Sequence, residues 1–312
     1  MRSIFNNGKT LTPTLSLTRQ GRGKQIRSLL PRCLGEKVRM RRIVLVVAMG
    51  ALAGCQKAPP PPVTEVVLTA AASLPAEPGD AAWQTAPEYA AKLLLQDMVE
   101  PRLLQPSTSE VRVRALHNGK EVAFRLEWAD ATPNDTPGPA KFSDGCAVQV
   151  PAHAGPSLPA PQMGEPGKPV EITFWTANWQ AIVNGRPDEI NALYPHAAID
   201  GYPFKAAALE KDSPTQKEMA VRYAPARALG NNRGGPRTVP VEDYLAEGPG
   251  TISPNKAGAS KGTGRRTPTG WAVVITRPLP ESRQVAFAVW DGAHEEVGAR
   301  KMRTGWIPMR QP

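Results

Sequence analysis

Residues Val111 to Trp128 read VRVRALHNGKEVAFRLEW. Val111, Val113 and Ala115 alternate with Arg112, Arg114 and Leu116, and Val122, Phe124, Leu126 and Trp128 alternate with polar or small partners. A period of two is what a half-buried strand requires. Asn118-Gly119 between the two runs supplies residues that tolerate positive φ, the chemistry of a tight hairpin turn. The stretch predicts a β-hairpin with one buried face and His117 at its exposed tip.

Working outward, Phe142 to Pro151 (FSDGCAVQVP) enters a strand through Ser143-Asp144-Gly145. Its small apolar run suits burial on both faces, with Cys146 packed as a small hydrophobe. Prolines at 156, 159 and 161 stiffen a loop that delivers Met163-Gly164 just before another strand, Val170 to Trp175. Strand character returns at Trp271 to Thr276 and again at Val285 to Trp290. The chain then turns at Asp291-Gly292 and re-enters through a charged segment carrying Lys301. On the N-terminal side, Trp83 and Tyr89 lead to Leu93 to Leu95, open between strand and short helix. From Ala181 to Gly264 periodicity fades, and a stretch as long as GPGTISPNKAGASKGTG reads as a functional or disordered loop. Six or more short strands without sustained helical periodicity predict an all-β fold, an antiparallel β-sandwich with long decorated loops, as one domain over 81–312.

The formal net charge of +10 invites a nucleic-acid reading until the charges are located. Met1 to Gly54 hold 11 of the 38 Lys and Arg and one of the 28 Asp and Glu, leaving 27 of each in the remainder. The body is neutral, so no nucleic-acid partner is expected. Residues 1–39 show neither apolar period nor signal and read as an upstream extension, with translation starting at Met40. From there MRRIVLVVAMGALAGC has a positive start, a short apolar core and a small-residue cleavage site, a secretory signal over 40–54. Its LAGC ending resembles the bacterial lipobox, whose cysteine becomes a lipid-bearing N-terminus. Cys55 is therefore the expected lipidation site, followed by a proline-rich tether over 55–80 (APPPPVT at 58–64). The expected location is the periplasmic side of a bacterial membrane. Gln56, where an inner-membrane protein has aspartate, tilts this toward the outer one. With Cys33 removed and Cys55 acylated, Cys146 has no partner for a disulfide.

The four histidines at 117, 153, 196 and 294 lack the spacing of a zinc site, and no CxxC or CxxCH occurs. The glycines at 258–264 (GASKGTG) do not follow phosphate-loop order, and they do not sit between a strand and a helix as a phosphate loop or a nucleophile elbow must. Acid–base catalysis by side chains is not expected, and the chain reads as a non-enzyme. Two residues stay open on local sequence. Met163 is either a core gap-filler or a thioether presented on a stiff loop. Lys301 is either a solvated charge or an amine held in a dry pocket, since lysines are almost never buried unless paired.

Taken in order, AAWQTAP at 81–87, the hairpin, FSDGCAVQVP, Met163-Gly164 before VEITFW, GPGTISP at 248–254, WAVVITRPL at 271–279, VAFAVWDG at 285–292 and RKMRTGW at 300–306 resemble one family. It is that of the haem b-binding gamma subunits accompanying periplasmic molybdenum enzymes of the ethylbenzene dehydrogenase, dimethyl sulfide dehydrogenase, selenate reductase and chlorate reductase type. The resemblance implies a β-sandwich similar to carbohydrate-binding modules and one non-covalent haem b held between a methionine and a lysine, which by position are Met163 and Lys301. It implies molybdoenzyme catalytic and iron-sulfur subunits and a c-type cytochrome as partners. Arg233 and Arg277 are the candidates to meet the propionates, and Trp175 and Trp290 either line the ring or belong to the core. The lipid anchor departs from the family pattern and leaves room for a free-standing membrane-tethered carrier. The competing expectation, from the fold alone, is a haemless binding module for a sugar or another exported protein.

Overall fold

The structure, a computed structural model, describes residues 63–188, 193–196, 213–223, 235 and 237–311. Residues 1–39, the signal at 40–54, Cys55 and Arg233 lie outside these. In chain order the described strands are β1 (Val66–Ala70), β2 (Tyr89–Lys92), β3 (Leu94–Leu95), β4 (Glu110–His117), β5 (Glu121–Ala129), β6 (Gly145–Pro151), β7 (Val170–Thr176), β8 (Val241–Ala246), β9 (Ser253–Pro254), β10 (Lys261–Thr267), β11 (Gly270–Pro278), β12 (Gln284–Trp290), β13 (Met302–Arg303) and β14 (Ile307–Arg310). Helix α1 (Ala177–Val183) continues from β7, and α2 (Pro214–Tyr223) follows later.

The hairpin forms as β4 and β5, with Asn118 Oδ1 accepting from the amides of Lys120 (3.0 Å) and Glu121 (2.8 Å), and Gly119 at φ 88°. Around it the strands follow the order β10-β11-β5-β4-β1-β14-β12-β6-β7-β8-β9, with β2 on β4, β13 on β12 and β3 on β13. This single path curls into two layers whose inner faces meet. Phe124 of β5 packs edge-on against Phe287 of β12 at 5.9 Å, and Trp175 of β7 against Trp128 at 6.3 Å and Trp271 at 5.3 Å. Such edge-to-face contacts satisfy the ring quadrupoles while burying large apolar surface. Cys146 is fully buried among these side chains, and burial pushes its thiol well up. The fold is thus the all-β sandwich that the strand pattern predicts.

Three features depart from expectation. First, not every pairing is antiparallel: β1 runs parallel to both β14 (Val66 opposite Met309) and β4 (Leu68 opposite Ala115), joining the two layers. Second, the folded part begins before residue 81. Val66 and Leu68 of β1 are buried in the core, so the segment expected as tether over 55–80 ends at the sheet. Third, the stretch expected as loop at 248–264 contains β9 and the start of β10, and β10 pairs with β11 along its whole length. Its glycines mislead because they answer to packing: a Cβ on Gly264 would lie 2.2 Å from the Trp175 ring and one on Gly262 2.5 Å from Val241.

Candidate functional site

Because side chains alternate along a strand, the layer made of β6, β7, β8 and β12 has two faces. Val148, Trp175, Val285 and Phe287 turn toward the other layer. Ala147, Ile172, Phe174, Tyr244, Ala288 and Trp290 form a separate apolar group, and these line a cavity of about 630 Å³, within the roughly 300–1,000 Å³ typical of small-molecule sites. Ala147, Ala286 and Ala288, all lining residues, leave a floor of short side chains on adjacent strands β6 and β12. Phe174 and Trp290 stand beside it, edge to face at 5.1 Å.

Met163 reaches this cavity from the loop before β7 and packs on the same apolar group. Its backbone is left-handed, φ 71°, and its carbonyl accepts from the Gly248 amide at 2.8 Å. Gly164 follows at φ 82°, its amide bonded to the Ala160 carbonyl at 2.9 Å. A Cβ on Gly164 would lie 2.9 Å from the carbonyl oxygens of both Ala246 and Lys168, so only glycine fits. The GPGTISP loop, folded by Thr251 Oγ1 accepting from the Glu247 amide at 2.8 Å, therefore backs the methionine turn and also supplies Pro249, Gly250 and Ile252 to the cavity wall.

Lys301 arrives from the other side of the sequence. Its carbonyl accepts from the Gln96 amide at 3.1 Å, and the buried Gln96 side chain donates to Val99 (2.8 Å) and Ala299 (3.0 Å), stapling the segment after β3 to the segment before β13. The Lys301 Nζ lies 5.0 Å from the centre of the Trp290 ring, whose Nε1 donates to the Gly298 carbonyl at 3.1 Å. Among the described residues no carboxylate pairs with this amine. Burial, and then the neighbouring Arg303 charge, pull its pKa down to about 8. Trp306, further along, donates to the Pro159 carbonyl at 2.7 Å, so the lysine segment and the methionine loop are tied together.

The sequence-derived candidates thus separate. Met163, Trp290 and Lys301 share the cavity. Trp175 does not line it: fully buried between the layers, its Nε1 donates to Gln180 Oε1 at 3.1 Å. Arg277 is also away from it, buried and ion-paired with Glu171. β11 belongs to the opposite layer, so its inward side chains meet the core and not the cavity. Arg233 is outside the described residues. Two cavity groups had no sequence signal beyond their charge. Arg303 is only 9% exposed and its Nε has no partner. Glu296 is buried, with Ser107 and the Asp291 amide (3.0 Å) donating to its carboxyl, whose pKa burial raises.

A cluster of a different kind closes one end of the sandwich. Asp130, Asp144 and Asp291 bring carboxylate oxygens within 4.8 Å of one another. Asp144 accepts from the amides of Asn134 (2.7 Å) and Gly292 (2.9 Å) and from Trp271 Nε1 (2.9 Å), fastening β6 to β11 and to the end of β12. Burial raises its pKa to about 7.

The chain is similar to a Haloferax mediterranei protein named as a respiratory nitrate reductase heme subunit (ORF7), 23% identical over 278 residues, covering 85% of this chain and 78% of that one. It is similar to chlorate reductase subunit gamma of Ideonella dechloratans, 24% identical over 294 residues, covering 87% and 96%. Among solved structures it is weakly similar to a carbohydrate binding module family 9 (CBM9) from Caldicellulosiruptor kristjanssonii in complex with cellotriose, with a TM-score of 0.34 and 7% identity over 79% of this chain and 94% of that one. The family model described as ethylbenzene dehydrogenase matches residues 80–302, a span that takes in the methionine turn, the alanine floor and Lys301. The chain belongs to the ethylbenzene dehydrogenase family.

Proposed function

We propose that the cavity holds one non-covalent haem b, that Met163 and Lys301 are the residues that would ligate its iron, and that the protein passes single electrons between a respiratory reductase and a cytochrome. The observation that carries this reading is that a thioether and an amine without a carboxylate partner, from distant parts of the chain, line one cavity with a floor of alanines. The residues fit the group: small side chains leave room for a planar ring, Phe174 and Trp290 give it apolar walls, and a buried guanidinium waits for an anion. Bound there, the iron would change oxidation state by one electron. The names of the two relatives, a heme subunit and a gamma subunit of reductases, support a role in an electron-transfer complex.

The chain's own residues prepare the site. An amine ligates only without its proton, and burial already weakens the hold of Lys301 on it. A thioether is soft and favours ferrous iron, so Met163 biases the site toward a high reduction potential. No bond-making step is assigned to the protein. Molybdenum and iron-sulfur subunits and a c-type cytochrome are the proposed partners, and Cys55 is the proposed lipid-bearing residue on the periplasmic side of a membrane, the outer one favoured.

The test is the absorption spectrum after haem-replete expression. A low-spin haem spectrum is expected, lost or converted to high spin in Met163→Ala and in Lys301→Ala. A well-folded protein that purifies without a Soret band would overturn the proposal and leave the haemless binding module.

A further inference from the structure

Arg303 occupies a position that few surface arginines share. It lies in β13, which pairs on one side with β12 (Ala288 opposite Arg303) and on the other with β3 (Leu94 opposite Arg303), so its backbone is fixed from both flanks. It is 9% exposed and lines the cavity. Its guanidinium makes no ion pair and no hydrogen bond among the described residues, and Nε is fully buried without an acceptor. Arg277 and Arg186 also have buried nitrogens without an acceptor, but each of the other buried arginines has at least one anionic or polar partner. Arg277 pairs with Glu171, Arg125 with Glu127, Arg237 with Glu242, and Arg186 bonds to Asn178 and the Asp135 carbonyl.

The acids around Arg303 are committed elsewhere. Glu296 lines the same cavity, but Ser107 and the Asp291 amide occupy its oxygens. Glu100 at the rim pairs with Arg102. Asp97 is exposed and approaches Arg303 without forming an ion pair. Lys301, two residues away, adds a second nitrogen and no negative charge. A buried, unpaired guanidinium is costly unless something supplies the missing anion. Its planar fork of donors matches a carboxylate in a bidentate arrangement.

We infer that Arg303 anchors a carboxylate carried by the cavity's ligand, an inference that rests on the haem reading above and extends it: the carboxylate is a propionate of the ring. The role expected of Arg277, which sits in the opposite layer, falls instead to an arginine on the cavity wall. Lys301 is then free for the iron, and the two neighbouring nitrogens divide the ligand between its centre and its edge.

The experiment compares iron protoporphyrin IX with its dimethyl ester, which lacks the charged carboxylates, in reconstitution of the haem-free full chain. Wild type should bind the free acid more tightly than the ester by about 10- to 100-fold, the range for a hydrogen bond to a charged group. Arg303→Gln should lower affinity for the free acid by a similar factor and leave the ester unchanged, and Arg303→Lys should recover part of the loss. The wild-type comparison of the two ligands needs no variant and stands if Arg303→Gln folds poorly. Equal binding of acid and ester by wild type, or equal loss of both in Arg303→Gln, overturns the role of Arg303 while a low-spin spectrum keeps the haem reading. Failure of wild type to bind either porphyrin overturns both.

Discussion

At the scale of single residues, burial moves Lys301 and Asp144 in opposite directions on the pH axis. Asp144 keeps its proton in the folded state to about pH 7, whereas an unfolded aspartate loses it near 3.8. Between those values the folded chain binds more protons than the unfolded one, so this group makes stability fall as pH rises. Lys301 sheds its proton at about 8 when folded and near 10.5 when unfolded. In that window the unfolded chain binds more protons, and stability climbs with pH. The haem-free protein should therefore be least stable between about pH 7 and 8, measured as the urea midpoint across pH 5 to 10.5. Asp130→Asn should flatten the acid arm, because it removes a second carboxyl whose pKa burial raises and, with it, a like charge beside Asp144. Lys301→Met should raise the midpoint at pH 7 and leave it unchanged at pH 10.5. A profile that both variants leave untouched would mean that neither group is held as the structure holds it.

At the scale of elements, the turn at Met163-Gly164 joins strain to function. A non-glycine residue in the left-handed region costs about 1–2 kcal/mol, and Met163 at φ 71° carries that cost where it faces the cavity. The neighbouring β8 end and the Gly248 amide hold the turn in place. Gly164→Ala adds a methyl group against two carbonyl oxygens at a positive φ and should destabilise the fold by about 1–3 kcal/mol. It should also loosen haem binding while keeping β-sheet circular dichroism. An unchanged spectrum and urea midpoint would show that the turn is not needed to present the thioether. Elements differ in how far their sequence declares them. The β4–β5 hairpin and β6, β7, β11 and β12 were legible because alternation or continuous apolar runs set which faces are buried. β10 was not, because its glycines answer to Trp175 and Val241 in another layer, which local sequence does not contain. That Met163 and Lys301 share one cavity was legible only by position in a resemblance. Arg303 was not, since a charge at the end of a strand looks the same whether it meets water or a cavity; for the same reason Arg277 was read as facing the ligand when it faces the core, and Trp175, left open between ring and core, lies in the core.

At the scale of the whole described fold, the two layers are joined by β1 and β14. β1 takes two pairs from β14 and three from β4, and β14 in turn pairs with β12. Ile307 and Met309 of β14 and Val66 of β1 are all in the central core. The first and last described strands thus sit side by side at the middle of the path, while no residue of β14 lines the cavity. Removing residues 307–312 should separate stability from ligand binding. Two buried apolar side chains are lost, each contributing about 1.5–3 kcal/mol, and β1 is left paired on one side. The expected loss is therefore about 3–6 kcal/mol, read as a drop in melting temperature and urea midpoint. At low temperature the truncated protein should still bind haem with an unaltered spectrum, because the floor, the methionine turn and the Lys301 segment keep their supports, including Trp306 on Pro159. A truncation that lost haem binding without losing stability would place the closing strands in the site. One that lost neither would show that β1 remains seated on β4 alone and that the parallel pair is dispensable.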